Sequence, residues 1–76
     1  MKTGISVHDA MTKKPVTASP DETIQDCAKK MSKEQVGSIV IKDKGELVGI
    51  ISEKDIVERV VAKGLEVSKI KAKEIM

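Results

Sequence analysis

The chain has 76 residues, 39% of them apolar and 34% charged, and its 14 basic and 12 acidic side chains leave a net charge of +2. This length fits one small domain, and a domain near 60 residues buries only about 60% of the surface its unfolded chain exposes, so a partner surface is expected. The balance of apolar and charged residues excludes a disordered tail. The modest charge and the complete lack of Phe, Tyr and Trp count against a nucleic-acid binder, which needs a clustered basic surface or aromatic stacking platforms.

Residues 1–6 read as a polar leader without the apolar core of a signal peptide, and no apolar run approaches the roughly 20 residues of a membrane-spanning helix. A soluble, cytoplasmic protein is the expectation. Val7-His8-Asp9-Ala10-Met11 has room for one short helical turn. Pro15-Val16-Thr17-Ala18 reads as a short strand, with Pro15 at the first residue, where a missing N–H is tolerated. Ser19-Pro20-Asp21-Glu22 predicts a helix start: Ser19 as N-cap, Pro20 at the first helical position, Glu22 closing a capping box. The helix is expected to end near Lys33. Ile24, Cys27, Ala28 and Met31 give it one apolar stripe at i, i+3, i+4 and i+7. Lys29, Lys30 and Lys33 suit the negative end of its dipole. Cys27, the only cysteine, excludes an internal disulfide and reads as a small buried hydrophobe.

Ser38-Ile39-Val40-Ile41 and Leu47-Val48-Gly49-Ile50-Ile51 read as two strands about a polar loop, Lys42 to Glu46, with Gly45 placed for a positive φ. Both runs are continuously apolar, which predicts that both faces of the hairpin are covered, one by helices and the other by a second copy. Ser52-Glu53-Lys54-Asp55 opens a second helix with a Ser-x-x-acid cap. Ile56, Val57, Val60 and Val61 are its expected buried stripe, and Gly64 its C′ residue. The order β-α-β-β-α predicts an α+β fold, with a three-stranded mixed sheet and two helices on one face. The tail Ala72-Lys73-Glu74-Ile75-Met76 echoes His8-Asp9-Ala10-Met11 and reads as the start of a second repeat. The expected organisation is a leader over residues 1–6, a domain over 7–64, and a linker with the beginning of another repeat over 65–76.

Asp9-Ala10-Met11-Thr12, Pro15-Val16-Thr17, Val36-Gly37-Ser38-Ile39-Val40-Ile41 and Gly49-Ile50-Ile51-Ser52-Glu53-Lys54-Asp55 together resemble a CBS domain, the module named after cystathionine β-synthase. The resemblance covers about three-quarters of the chain. Its most specific part is Gly-apolar-x-Ser/Thr-x-x-Asp, at the predicted strand-to-helix turn. It implies a regulatory, non-catalytic module whose repeats pair sheet against sheet. The clefts of such pairs commonly hold AMP, ADP, ATP or S-adenosylmethionine, and no further cofactor is implied. A single repeat is then expected to form a homodimer or higher homo-oligomer through its sheet and helix faces. The alternative is a ligand-free dimerisation module, in which the same fold only assembles.

The resemblance assigns Asp55 to the ribose hydroxyls and Ser52 to a phosphate or ribose oxygen. The exposed N–H groups and dipole of a helix N-terminus are compatible with an anion there. The pair equally makes a self-sufficient helix cap. Thr12 and Val16 are assigned beside the base, and otherwise read as a turn threonine and a strand valine. Val36 and Gly37 would offer main-chain groups to the adenine edge, or simply form a tight helix-to-strand turn. Ile50 would be an apolar wall or a packing residue. Lys13, Lys14 and Lys54 read as solvated lysines within reach of a phosphate. His8 stands without a nucleophile or acid at catalytic spacing, and no nucleophile–base pair or Gly-rich phosphate loop marks an enzyme.

Overall fold

In the computed structural model, which describes residues 15–76, the chain runs β1 (Thr17–Ala18), α1 (Ile24–Glu34), β2 (Ser38–Asp43), β3 (Glu46–Ser52) and α2 (Glu53–Ile56). A π-helical turn over Val57–Val61 continues α2, and a 3₁₀ turn follows at Ala72–Glu74. Val7 to Met11, the expected short helical turn, lies outside the described residues. β1 pairs parallel with β2, and β2 pairs antiparallel with β3, giving the mixed three-stranded sheet expected from the element order.

The hairpin is tighter than the sequence suggests. Lys42 and Asp43 pair with Leu47 and Glu46, so the expected five-residue loop shrinks to Lys44 and Gly45. Both turn residues take positive φ, 53° and 82°. This is the left-handed pair whose twist matches the flanking strands, and it lets the ladder run to the turn. Ile41 pairs with Gly49 but Lys42 with Leu47, so Val48 is an extra residue that bulges β3.

The start of α1 corrects the sequence reading. Ser19 does receive the return bond of a capping box, its N–H donating to Glu22 Oε2 at 2.9 Å. The helix nevertheless begins at Ile24, and its N-cap is Thr23, whose Oγ1 accepts from the Asp26 N–H at 3.1 Å. The cause lies far along the chain. Lys73 N–H donates to the Pro20 carbonyl, Ala72 N–H to the Glu22 carbonyl, and Thr23 bridges Lys71. These bonds hold residues 20–23 out of helical conformation until Ile24. The apolar stripe is as expected: Ile24, Cys27 and Met31 are buried and Ala28 packs against them. Gln35, in the left-handed region at φ 56°, ends α1 one residue beyond the expected stop.

Alternation along the strands sorts the sheet into two faces. Ala18, Ile39, Ile41 and Ile51 point to the core, where they join buried residues of both helices in one cluster. Of the stripe expected on α2, Ile56 and Val60 are buried, whereas Val57 and Val61 are exposed. The helix touches the sheet along a narrow line, and the i→i+5 bond from Ala62 N–H to the Val57 carbonyl widens the coil there. The sheet's other face carries the cross-strand pairs Ser38–Ser52, Val40–Ile50 and Lys42–Leu47. Within one chain it is open: Ile50 is 59% exposed and Leu47 67%.

Residues 65–76, read from the sequence as a linker into a second repeat, pack back on this domain. Ile24 and Gln25 N–H groups donate to the Ile70 and Val67 carbonyls, and Ala72 and Ile75 enter the core. The Arg59 guanidinium fastens this segment through the Ile75 carbonyl at 2.6 Å. Among the described residues, no helix is long and apolar enough to cross a membrane.

Candidate functional site at the strand-to-helix turn

Parallel pairing of β1 with β2, and the hairpin of β2 with β3, bring three chain segments to one end of the sheet. These are the start of β1, the start of β2 and the end of β3. Ser38 lies opposite Ser52, so Gly37 falls beside the first turn of α2, and the Gly37 carbonyl accepts from the Glu53 N–H at 2.9 Å.

Ser52 is the N-cap of α2, in extended conformation at φ −102° and ψ 166°. Its Oγ accepts from the Asp55 N–H at 3.2 Å and donates to Asp55 Oδ2 at 3.0 Å. Asp55 Oδ2 also accepts from the Ser52 N–H at 2.9 Å, completing the capping box expected from the sequence. The Ser52 N–H, and then its hydroxyl, hold the Asp55 carboxyl below the usual carboxylate range; Arg59 and Lys54 add a smaller pull against slight desolvation. Asp55 is therefore an ionised acceptor at neutral pH. Its Oδ1 takes no hydrogen bond from a described residue.

The other sequence candidates divide. Ile50 stands two residues before Ser52 on the open sheet face. Val36 is half-buried against the core, and its N–H donates to the Met31 carbonyl at 3.0 Å. Val16 gives its carbonyl to the Val40 N–H at 2.9 Å. Val16 also lines a groove with Pro15, Thr17, Lys30, Lys33 and Glu34. Thr12, Lys13, Lys14 and His8 lie outside the described residues. Lys54 pairs with Glu58 at 3.8 Å. Burial pushes the Cys27 thiol up, so it stays protonated, as its place on the apolar stripe implies. Among the described residues, no three His, Cys, Asp or Glu side chains converge as metal ligands would.

Glu53 is the neighbour that the sequence reading passed over. Its carboxylate carbon lies 3.9 Å from where a Cβ on Gly37 would stand. The signal was present, since the residue after an N-cap lies in the first turn of the helix, beside whatever approaches it.

The CBS domain family model matches residues 7–62. The chain is 41% identical over 59 residues to the CBS domain-containing protein YhcV of Bacillus subtilis, an alignment covering 78% of this chain and 42% of that protein. It is 38% identical over 73 residues to an uncharacterized protein of Methanopyrus kandleri, covering 95% of this chain and 37% of the relative. A cystathionine β-synthase domain protein fused to a Zn-ribbon-like domain has the same fold, with a TM-score of 0.79 at 36% identity over 83% of this chain and 90% of the other. The chain belongs to the CBS domain family. It spans less than half the length of these curated relatives.

Proposed function

We propose that the chain is a non-catalytic regulatory CBS module of the cytoplasm. It pairs with another repeat and holds an adenosine-type ligand, AMP, ADP, ATP or S-adenosylmethionine, in the cleft between them. The observation that carries this reading is the Asp55 carboxylate. It is ionised, fixed by two bonds from Ser52, and its Oδ1 takes no hydrogen bond from a described residue. In that cleft Asp55 accepts the ribose hydroxyls, and the Val36 and Gly37 main chain meets the adenine edge. Ile50 and Val16 supply apolar wall, Thr12 a hydroxyl, and Ser52 its remaining lone pair. Residues 65–76 then lead from this repeat toward the next, and a homodimer rebuilds the pair when a second repeat is lacking.

Isothermal titration of the chain with AMP, ATP and S-adenosylmethionine tests the site, with Asp55→Asn as the variant. Asparagine keeps an acceptor for the Ser52 N–H and removes the charge, so the helix cap is largely preserved. Charge-assisted hydrogen bonds are worth about 1.5–3 kcal/mol, so affinity should fall at least tenfold. Unaltered binding in Asp55→Asn removes the assignment.

The exposed Leu47, Val48 and Ile50 favour a second reading, a ligand-free assembly module. Saturable heat with any of the three ligands decides against it.

A further inference from the structure

Arg59 stands between two acceptors. One helical turn before it lies Asp55, and an acid at i with a base at i+4 is a favourable pairing on a helix surface. The other acceptor is the Ile75 carbonyl on the segment 65–76, to which Arg59 Nη1 donates at 2.6 Å. Among the described residues the guanidinium makes no ion pair with Asp55. Its charge still acts there: the Ser52 N–H and hydroxyl hold the Asp55 carboxyl low, and Arg59 adds to that pull. The turn that carries Arg59, Val57–Val61, is π-helical, a backbone form that recurs at functional positions. Beside the guanidinium, a cleft of about 400 Å³ lined by Lys63, Leu65, Ile70 and Met76 leaves it room to swing.

We infer that Arg59 is a two-position arm linking the docking of residues 65–76 to the availability of Asp55. With the segment docked, the guanidinium is held on the Ile75 carbonyl and Asp55 Oδ1 is open. With the segment released, the guanidinium loses that carbonyl and turns to Asp55, covering Oδ1. Release of the segment thus closes the site. A ligand on Asp55 favours docking by the same factor that docking favours the ligand. That ligand half rests on the adenosyl-site reading above, whereas the competition of Asp55 and Ile75 for one guanidinium does not. A hydrogen bond from a charged donor is worth at least about tenfold in an equilibrium, and an exposed i,i+4 ion pair about twofold. The carbonyl therefore wins while the segment is docked, and Asp55 takes the arm only on release.

Amide hydrogen exchange of the full chain, read by NMR, tests this. The Ala72 and Lys73 N–H groups donate to the Glu22 and Pro20 carbonyls, so their exchange reports release of the segment. The proteins compared are the native chain, Asp55→Asn, Arg59→Gln and the double variant, with far-UV circular dichroism checking that each folds. Asp55→Asn should slow exchange at both amides about twofold, because the released state loses its ion pair. A carboxylate that only caps the helix would leave exchange unchanged or make it faster. In the Arg59→Gln background the same Asp55→Asn change should have no effect. Unchanged or faster exchange in Asp55→Asn overturns the inference, and so does a slowing that persists without Arg59. Saturating adenosine should slow exchange in the native chain and not in Arg59→Gln; adenosine that binds without slowing it overturns the link. Failure of adenosine to bind overturns the adenosyl reading and the ligand half of the inference, and the competition for Arg59 then stands or falls on the Asp55→Asn result.

Discussion

Replacing Ser52 with Ala separates the structural work of the strand-to-helix turn from any ligand. The hydroxyl makes two of the turn's three local bonds, accepting from the Asp55 N–H and donating to Asp55 Oδ2. Loss of a Ser N-cap to Ala costs about 0.5–2 kcal/mol, typically about 1. In a domain of this size, 1 kcal/mol moves the Tm by about 4–8 °C. A pH dependence follows from Asp55. Its folded-state pKa lies below its ordinary value because Ser52 bonds the ionised form. The stability this supplies is fully present above the ordinary carboxylate value of about 3.9, and it is lost as pH falls through the lower folded-state value. Ser52→Ala removes one of the two bonds to the carboxylate and leaves the Ser52 N–H. The Tm gap between native and variant chains should therefore be largest at pH 7. Below the folded-state pKa it should shrink to the share carried by the Asp55 N–H bond to Ser52 Oγ. Thermal melts followed by far-UV circular dichroism are the assay, since the chain has no Trp or Tyr for fluorescence. A double-mutant cycle with Asp55→Ala should give a coupling between the two residues. Equal melts at pH 7, or a gap that stays constant into acid, would refute the idea that this box stabilises the helix.

Gly45 and Gly64 sit at φ 82° and 73° with no atom near a would-be Cβ, so alanine there tests backbone strain alone. Each Gly→Ala change should cost about 1–2 kcal/mol, read as a lower urea midpoint with an unchanged m-value, and Gly64→Asn should cost less. Ile50→Glu places a charge on the open sheet face, where the side chain is 59% exposed and touches little of its own domain. Light scattering should show a smaller species than the native chain at equal concentration, with the circular dichroism spectrum preserved. An unchanged mass would remove the sheet face as the assembly surface.

Short-range chemistry was the legible part of this sequence. The Ser52 cap, the positive φ of Gly45 and Gly64, and the α1 stripe each depend on residues a few positions apart. The register that sets Ser38 opposite Ser52 was not legible, because it depends on the two-residue turn at Lys44–Gly45 and the bulge at Val48, and only with it does Gly37 come beside the first turn of α2. What failed was set by distant contacts. Ser19 has every local feature of an N-cap, yet bonds from Ala72 and Lys73, some fifty residues away, decide that Thr23 takes the role. Val57 and Val61 have the right period for burial, but periodicity marks a helix's apolar side and not how wide a strip its neighbours reach. Glu53 was overlooked for a different reason. A charged residue after an N-cap is explained by the cap alone, and only its approach to Gly37 gives it a place in the site.

The open sheet face and the strand-to-helix turn are physically continuous, because Ile50 and Ser52 project from the same side of β3 and face Val40 and Ser38 across the hairpin. A second repeat laid on Val40, Ile50 and Leu47 would roof the ground beside Ser52. A ligand seated there would then contact both repeats. Under the proposed function, binding and pairing must be linked, and linkage is reciprocal: whatever factor the ligand adds to the affinity between repeats, pairing adds to the affinity for ligand. The isolated repeat offers Asp55 on a half-open surface and should bind weakly, while the paired form should bind tightly. Titrations at rising chain concentration should therefore show apparent affinity increasing with the paired fraction. An affinity independent of chain concentration across the pairing transition would mean that the site lies wholly within one repeat. The sheet face would then serve assembly alone.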